Sequence, residues 1–141
     1  MADAWGSKAW QLWQLNRDEE ALDALEHCLS FDEDRFQAWQ LKGNLPFRMQ
    51  RFDEALEAYK RAIELDPTEV WPWRKKGDSL FRLDRFNEAL EAYEHGLAIE
   101  PNTLSLWDPK VHVLAKLRRV RDLWNAAGKM RELREAGSRA P

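Results

Sequence analysis

A single cysteine, Cys28, stands among the 141 residues. No disulfide can therefore staple the fold from within, and a lone thiol is the usage expected of a reducing compartment. No apolar run approaches the roughly 20 residues that a membrane-spanning helix requires. The opening MADAWGSKAW has no basic stretch followed by an apolar one, so no secretory leader and no membrane partner are expected, and the expected location is the cytoplasm. The net charge of −3 is too small to hold the chain open by self-repulsion. Histidine is scarce. His27, His95 and His112 have no second histidine or cysteine one turn away with which to hold a metal. Cys28 takes the register position of Ala62 and Gly96 and reads as a small core residue, since a catalytic thiolate would need a nearby basic partner. Neither a glycine-rich phosphate loop nor a nucleophile elbow is present. These absences argue against an enzyme, a resident metal or a cofactor.

What is present is apolar and aromatic. Apolar residues make up 44% of the chain and aromatics 11%, which is enough for a core, and the eight tryptophans mark either that core or a binding surface. Charge is distributed unevenly: residues 1–103 carry a net −8 and residues 104–141 a net +5.

The tryptophans reveal a period. Trp5, Trp39, Trp73 and Trp107 are successively 34 residues apart, and so are Lys8, Lys42, Lys76 and Lys110. Arg17, Arg51, Arg85 and Arg119 keep the same interval, as do Glu20, Glu54 and Glu88, completed by Asp122. Internal repetition at this length is the mark of a stacked-repeat architecture. Within a copy the apolar spacing is helical. In FDEALEAYKRAIEL, residues Ala55, Leu56, Tyr59, Ala62 and Ile63 share one face, with Asp53, Glu54, Glu57, Lys60 and Arg61 opposite. Pro67 ends that helix and Pro101 ends its counterpart. Each copy therefore reads as two helices.

WQLKG followed by FDEALEAYKRAIELDP, and WRKKG followed by FNEALEAYEHGLAIEP, resemble tetratricopeptide repeats. The resemblance covers copies at about 2–35, 36–69, 70–103 and 104–137, giving a single array over residues 1–141. It implies an all-α fold: antiparallel helix pairs stacked as a right-handed superhelical solenoid. The small residues Gly43, Gly77, Ala55 and Ala89 allow helices to approach closely. The fourth copy departs from the pattern, with Leu123 and Val111 at small-residue positions, and reads as a terminal cap. There Leu117, Val120, Leu123 and Trp124, on a helix over 116–135, are expected to cover the end of the third copy. Asp108–Pro109 predicts a late start for that copy's first helix, with Asp108 as cap. Pro46 is expected to kink or shorten the first helix of the second copy.

In the family, the first helix of each pair lines a concave groove that receives an extended peptide or a helix. The resemblance assigns to that groove Trp13, Phe47 and Phe81; Arg48, Arg82 and Lys116; Trp10, Asn44, Asp78 and His112; and Gln40 and Arg74; Trp71 is compatible with the groove edge and equally with packing on the second copy. Trp13, Phe47 and Phe81 are equally compatible with packing between neighbouring repeats. An aromatic stripe beside a basic one suits a partner that mixes acidic and apolar side chains. One subclass grips a chaperone's C-terminal carboxylate. Of that clamp's positions over the first three copies (Gly6, Trp10, Leu41, Trp71 and Lys75) only Lys75 suits the task, so a partner of that type is not expected. The leading expectation is thus a scaffold or adaptor that binds a protein segment. The alternatives are a structural role, as a self-association unit through the tryptophan-rich first helix or as one piece of a larger chain, and nucleic-acid binding through the basic KLRRVR at 116–121. The acidic body and the amphipathic spacing of Leu117, Val120 and Trp124 weigh against nucleic acid.

Overall fold

The computed structural model describes residues 1–139; the last two residues of the expected array lie outside the described ones. Eight α-helices and no strand occur among the described residues: α1 (Ala2–Gln14), α2 (Asp18–Phe31), α3 (Phe36–Arg48), α4 (Phe52–Leu65), α5 (Val70–Arg82), α6 (Phe86–Ile99), α7 (Leu104–Lys116) and α8 (Val120–Ser138). They fall into two compact units, one of Met1–Pro67 holding α1 to α4 and one beginning at Thr68 and holding α5 to α8.

The turn inside each helix pair is built the same way four times. Asn16, Gln50, Asp84 and Arg118 have φ of 58°, 62°, 58° and 54°. The next amide reaches back five residues: Arg17 N–H donates to the Leu12 carbonyl at 2.9 Å, Arg51 to Pro46 at 2.7 Å, Arg85 to Leu80 at 2.9 Å and Arg119 to Leu114 at 3.1 Å. This left-handed C-terminal closure satisfies carbonyls that the helix leaves over. Glycine usually fills the position, and here four side-chain-bearing residues do.

The recurrent arginines then open the second helix of each pair. No side chain caps these N-termini. Instead Arg17 forks onto Glu20 (2.7 and 2.5 Å), Arg85 onto Glu88 (2.9 and 2.6 Å), and Arg119 binds Asp122 at 2.8 Å. The carboxylate thereby sits in the first turn, where the helix dipole favours it. Arg51 differs, donating to Glu19 of the preceding pair at 2.5 Å.

The core of the first unit gathers Ala9, Leu12, Ala21, Leu25, Cys28, Leu41 and Leu45, with Trp5, Trp13 and Trp39 packed against it. The second buries Leu80, Ala89, Leu90, Tyr93, Leu106, Val113 and Leu114. Gly43 and Gly77 are required by one close approach each. A Cβ on Gly43 would lie 2.4 Å from the Tyr59 ring, and one on Gly77 2.5 Å from the Tyr93 ring.

Three expectations are corrected. Pro46 does not shorten its helix: α3 has 13 residues, as α1 has. It stands in the last turn, where its missing N–H costs one bond while its carbonyl takes the closing bond from Arg51. The first helix of the fourth copy does not start late. It begins at Leu104 with Pro109 inside it, because Leu106, fully buried, and Trp107 dock in the repeat register. The cap over 116–135 is in fact α8, starting at Val120; Leu117 and Leu123 are half-buried as expected of covering residues, but Val120 and Trp124 are 74% and 75% exposed. Of α8, Ala126 is the residue that is buried. KLRRVR is accordingly no amphipathic helix but straddles the turn between α7 and α8.

Candidate functional site

The periodic tryptophans prove to be structural. Two of them hang on backbone carbonyls: the Trp39 indole N–H donates to Glu33 and that of Trp107 to Pro101, each at 2.7 Å. The acceptor is a backbone oxygen, so Glu33 serves as well as a proline does. The recurrent lysines place their ammonium groups over these rings, at 4.8 Å for Lys8 on Trp5, 5.0 Å for Lys42 on Trp39, 5.1 Å for Lys76 on Trp73 and 4.9 Å for Lys110 on Trp107. A cation on the face of tryptophan is attracted by the ring quadrupole. His27 and His95 stack on Trp5 and Trp73, each at 4.4 Å. A Trp followed three residues later by a Lys was the signal for this contact, and its fourfold recurrence was legible in the sequence.

The expected groove residues divide by unit. In the first, Trp13 is half-buried against the core, with the Arg48 guanidinium 5.5 Å above its ring. Arg48 is already engaged: it forks onto Asp18, with Nε at 3.0 Å, and donates to the Trp13 carbonyl at 3.3 Å. It therefore ties α3 to the first helix pair rather than offering a free cation. Phe47 meets Phe52 edge-on at 5.3 Å across the turn. Asn44, half-buried, accepts from the Tyr59 hydroxyl at 3.0 Å, and Gln40 is half-buried. Trp10 alone among the aromatics of α1 is open, at 50% exposure, with its ring 4.7 Å from that of Trp13.

Trp10 borders a cleft of about 490 Å³ between α1 and α3, walled also by Gly6, Gln11, Arg35, Gln37 and Leu41. Asp3 and Arg35 form an ion pair at its rim, and the guanidinium holds the Asp3 carboxyl below the usual carboxylate range. Burial pushes the Cys28 thiol up, and its Sγ donates to the Ala2 carbonyl at 3.2 Å, so it is a packed core group. Asp3, Gln11, Arg35 and Gln37 were missed because groove positions were transferred from a family pattern, whereas the cleft follows the exposed flank of α1.

In the second unit, Tyr93 is buried and its hydroxyl donates to Asp78 at 2.7 Å; burial and that carboxylate push the phenol far above its ordinary range. Arg74 is half-buried with an Nε that has no hydrogen-bond partner among the described residues. Burial also lowers the pKa of neighbouring Lys75. Phe81 meets Phe86 edge-on at 5.4 Å, repeating the Phe47–Phe52 contact. Trp71 is half-buried in the first turn of α5, Arg82 is exposed at its end, and His112 and Lys116 are exposed on α7, with His112 Nδ1 2.9 Å from the Asp108 carbonyl oxygen. No group of three or more acidic, histidine or cysteine residues could hold a metal among the described residues, and no described helix is long and apolar enough to cross a membrane.

Three family models match the sequence: a TPR repeat model over residues 43–84 and tetratricopeptide repeat models over 2–35 and 71–103. No curated protein matches it. Solved structures of MamA share its fold. One superposes at TM-score 0.92 with 17% identity, covering 99% of this chain and 81% of that one. MamA AMB-1 gives 0.88 and 19%, over 96% and 74%. MamA MSR-1 gives 0.86 and 17%, over 97% and 79%. At such identity the likeness is one of fold.

Proposed function

This chain belongs to the tetratricopeptide repeat family and is a protein-interaction module, and from that premise we propose that it binds an extended segment of a partner protein in the cleft between α1 and α3. The observation that carries the reading is the open face of Trp10 beside a cleft of about 490 Å³. A large aromatic next to a concavity is the usual anchor of an interface. Gln11 and Gln37 offer amides of both polarities to a peptide backbone, and Leu41 gives an apolar floor. An apolar or aromatic partner side chain stacks on Trp10, and the Asp3–Arg35 pair orients polar groups at the rim. Arg48, the cation expected to read an acidic group in this unit, is held by Asp18 instead.

Selection of a displayed peptide library against the folded chain, followed by calorimetry on the winning sequence, tests this. Trp10→Ala should weaken binding by about 2 kcal/mol, the scale of an interface anchor. Glu91→Lys, on an exposed helix face, should leave it unchanged. Equal losses from the two variants would place the site elsewhere.

A further inference from the structure

The first unit shows what the outward face of a second helix does. Leu22 of α2 lines a cleft with Trp39, Lys42 and Pro46 of α3 and Glu54, Ala58 and Arg61 of α4, and it packs with Trp39 against one core, so α3 lies along that face. Asp18 and Glu19, at the start of α2, grip Arg48 at the end of that helix and Arg51 in the turn after it. In α6 the residue in register with Leu22 is Leu90, only 4% exposed. In α8 the positions of Asp18, Glu19 and Leu22 are taken by Val120, Arg121 and Trp124. Val120 and Trp124 are 74% and 75% exposed, and Arg121 is exposed as well. One turn on, Gly128 has open space where a Cβ would stand.

The chemistry of a seat is therefore repeated with its sign reversed. Where α2 offers two carboxylates to arginines, α8 offers an apolar side chain and an arginine. We propose that this face of α8 seats an amphipathic helix of a partner protein, with apolar side chains on Val120 and Trp124 and a carboxylate opposite Arg121. A helix is the shape that the equivalent face of α2 holds, and the carboxylate follows from Arg121. A second copy of this chain does not suit the seat. In the same register its α1 would bring Gln14 and Arg17 to the places of Arg48 and Arg51, setting Arg17 against Arg121. The surface is distinct from the α1–α3 cleft, so either reading can fail without the other.

The test uses the full chain and fluorescent synthetic peptides of residues 36–51, with Pro46→Ala to favour the helix. An acidic probe also carries Arg48→Glu and Arg51→Glu; a basic probe keeps both arginines. Anisotropy should show the acidic probe binding at least tenfold more tightly. Arg121→Glu should reverse that preference, and Trp124→Ala should lose at least tenfold for the acidic probe with an unchanged thermal melt. A preference indifferent to Arg121→Glu, or binding undiminished in Trp124→Ala, overturns the proposal. So does a light-scattering mass that rises with concentration and is reset by Trp124→Ala, which would make a second copy the occupant. Cosedimentation with phosphatidylserine vesicles that depends on Trp124 would overturn it in favour of a lipid surface.

Discussion

Replacing Gly43 by alanine adds one methyl group at a close helix–helix approach in the first unit. The new Cβ would lie 2.4, 2.7 and 2.9 Å from Cε1, Cδ1 and Cζ of Tyr59. That ring is fully buried and its hydroxyl is held by Asn44 at 3.0 Å, so it cannot swing aside freely. Overpacking a close-packed core costs about 1–3 kcal/mol. Displacing the ring also forfeits a hydrogen bond worth about 1 kcal/mol. Against this, alanine is favoured over glycine within a helix by about 1 kcal/mol. The net expectation is a loss of about 1–3 kcal/mol. Gly128→Ala is the matched control, because nothing lies within 4 Å of its new Cβ, and it should gain up to about 1 kcal/mol. Equilibrium urea unfolding followed by circular dichroism measures both. A double-mutant cycle with Tyr59→Leu should show relief of the clash, since coupled neighbours do not add. If Gly43→Ala were as stabilising as Gly128→Ala, the close approach at Tyr59 would be wrong.

Further outcomes follow from the same geometry. Gln50→Gly, at a φ of 62°, should raise stability by about 0.5–1 kcal/mol in the same unfolding assay, because glycine takes the left-handed conformation without strain. Arg48→Glu should destabilise the fold by about 1–3 kcal/mol, since it sets a carboxylate against Asp18, whose side chain is 17% exposed; an unchanged urea midpoint would return Arg48 to the role of a free groove cation. Trp124→Gln should shift stability by less than about 0.5 kcal/mol because its ring is 75% exposed, and a larger loss would mean that α8 does cap the array. Asp3 should titrate below an ordinary aspartate, so its share of stability is present at neutral pH and is lost as pH falls through that lowered value. NMR titration of its carboxyl carbon should show Arg35→Gln bringing the midpoint back up, and equal midpoints would contradict the ion pair.

Much of the fold was legible because each period-34 residue has a mechanical task. Trp39 and Trp107 hang on backbone carbonyls, Lys8 and its counterparts cover the rings, and Arg17, Arg85 and Arg119 lock the first turn of a helix. The failures share a local reading. Pro46, Pro109 and the apolar spacing of 116–124 were read locally, whereas the helix starts are set by tertiary docking of side chains such as Leu106. The site was less legible. Register identified Trp10, but nothing in the pattern said that Arg48 would be spent on Asp18 or that Asn44 would receive the Tyr59 hydroxyl. Such partnerships join residues 15 to 30 apart on different helices and depend on the packed geometry.

The central claim, that the cleft between α1 and α3 receives the partner, is tested most directly by following the eight tryptophan indole N–H resonances by NMR as the selected peptide is added. The account predicts that the Trp10 signal moves in step with occupancy. Those of Trp39 and Trp107, tied to the Glu33 and Pro101 carbonyls, should stay in place. A titration that shifts Trp124 and leaves Trp10 unmoved would contradict it.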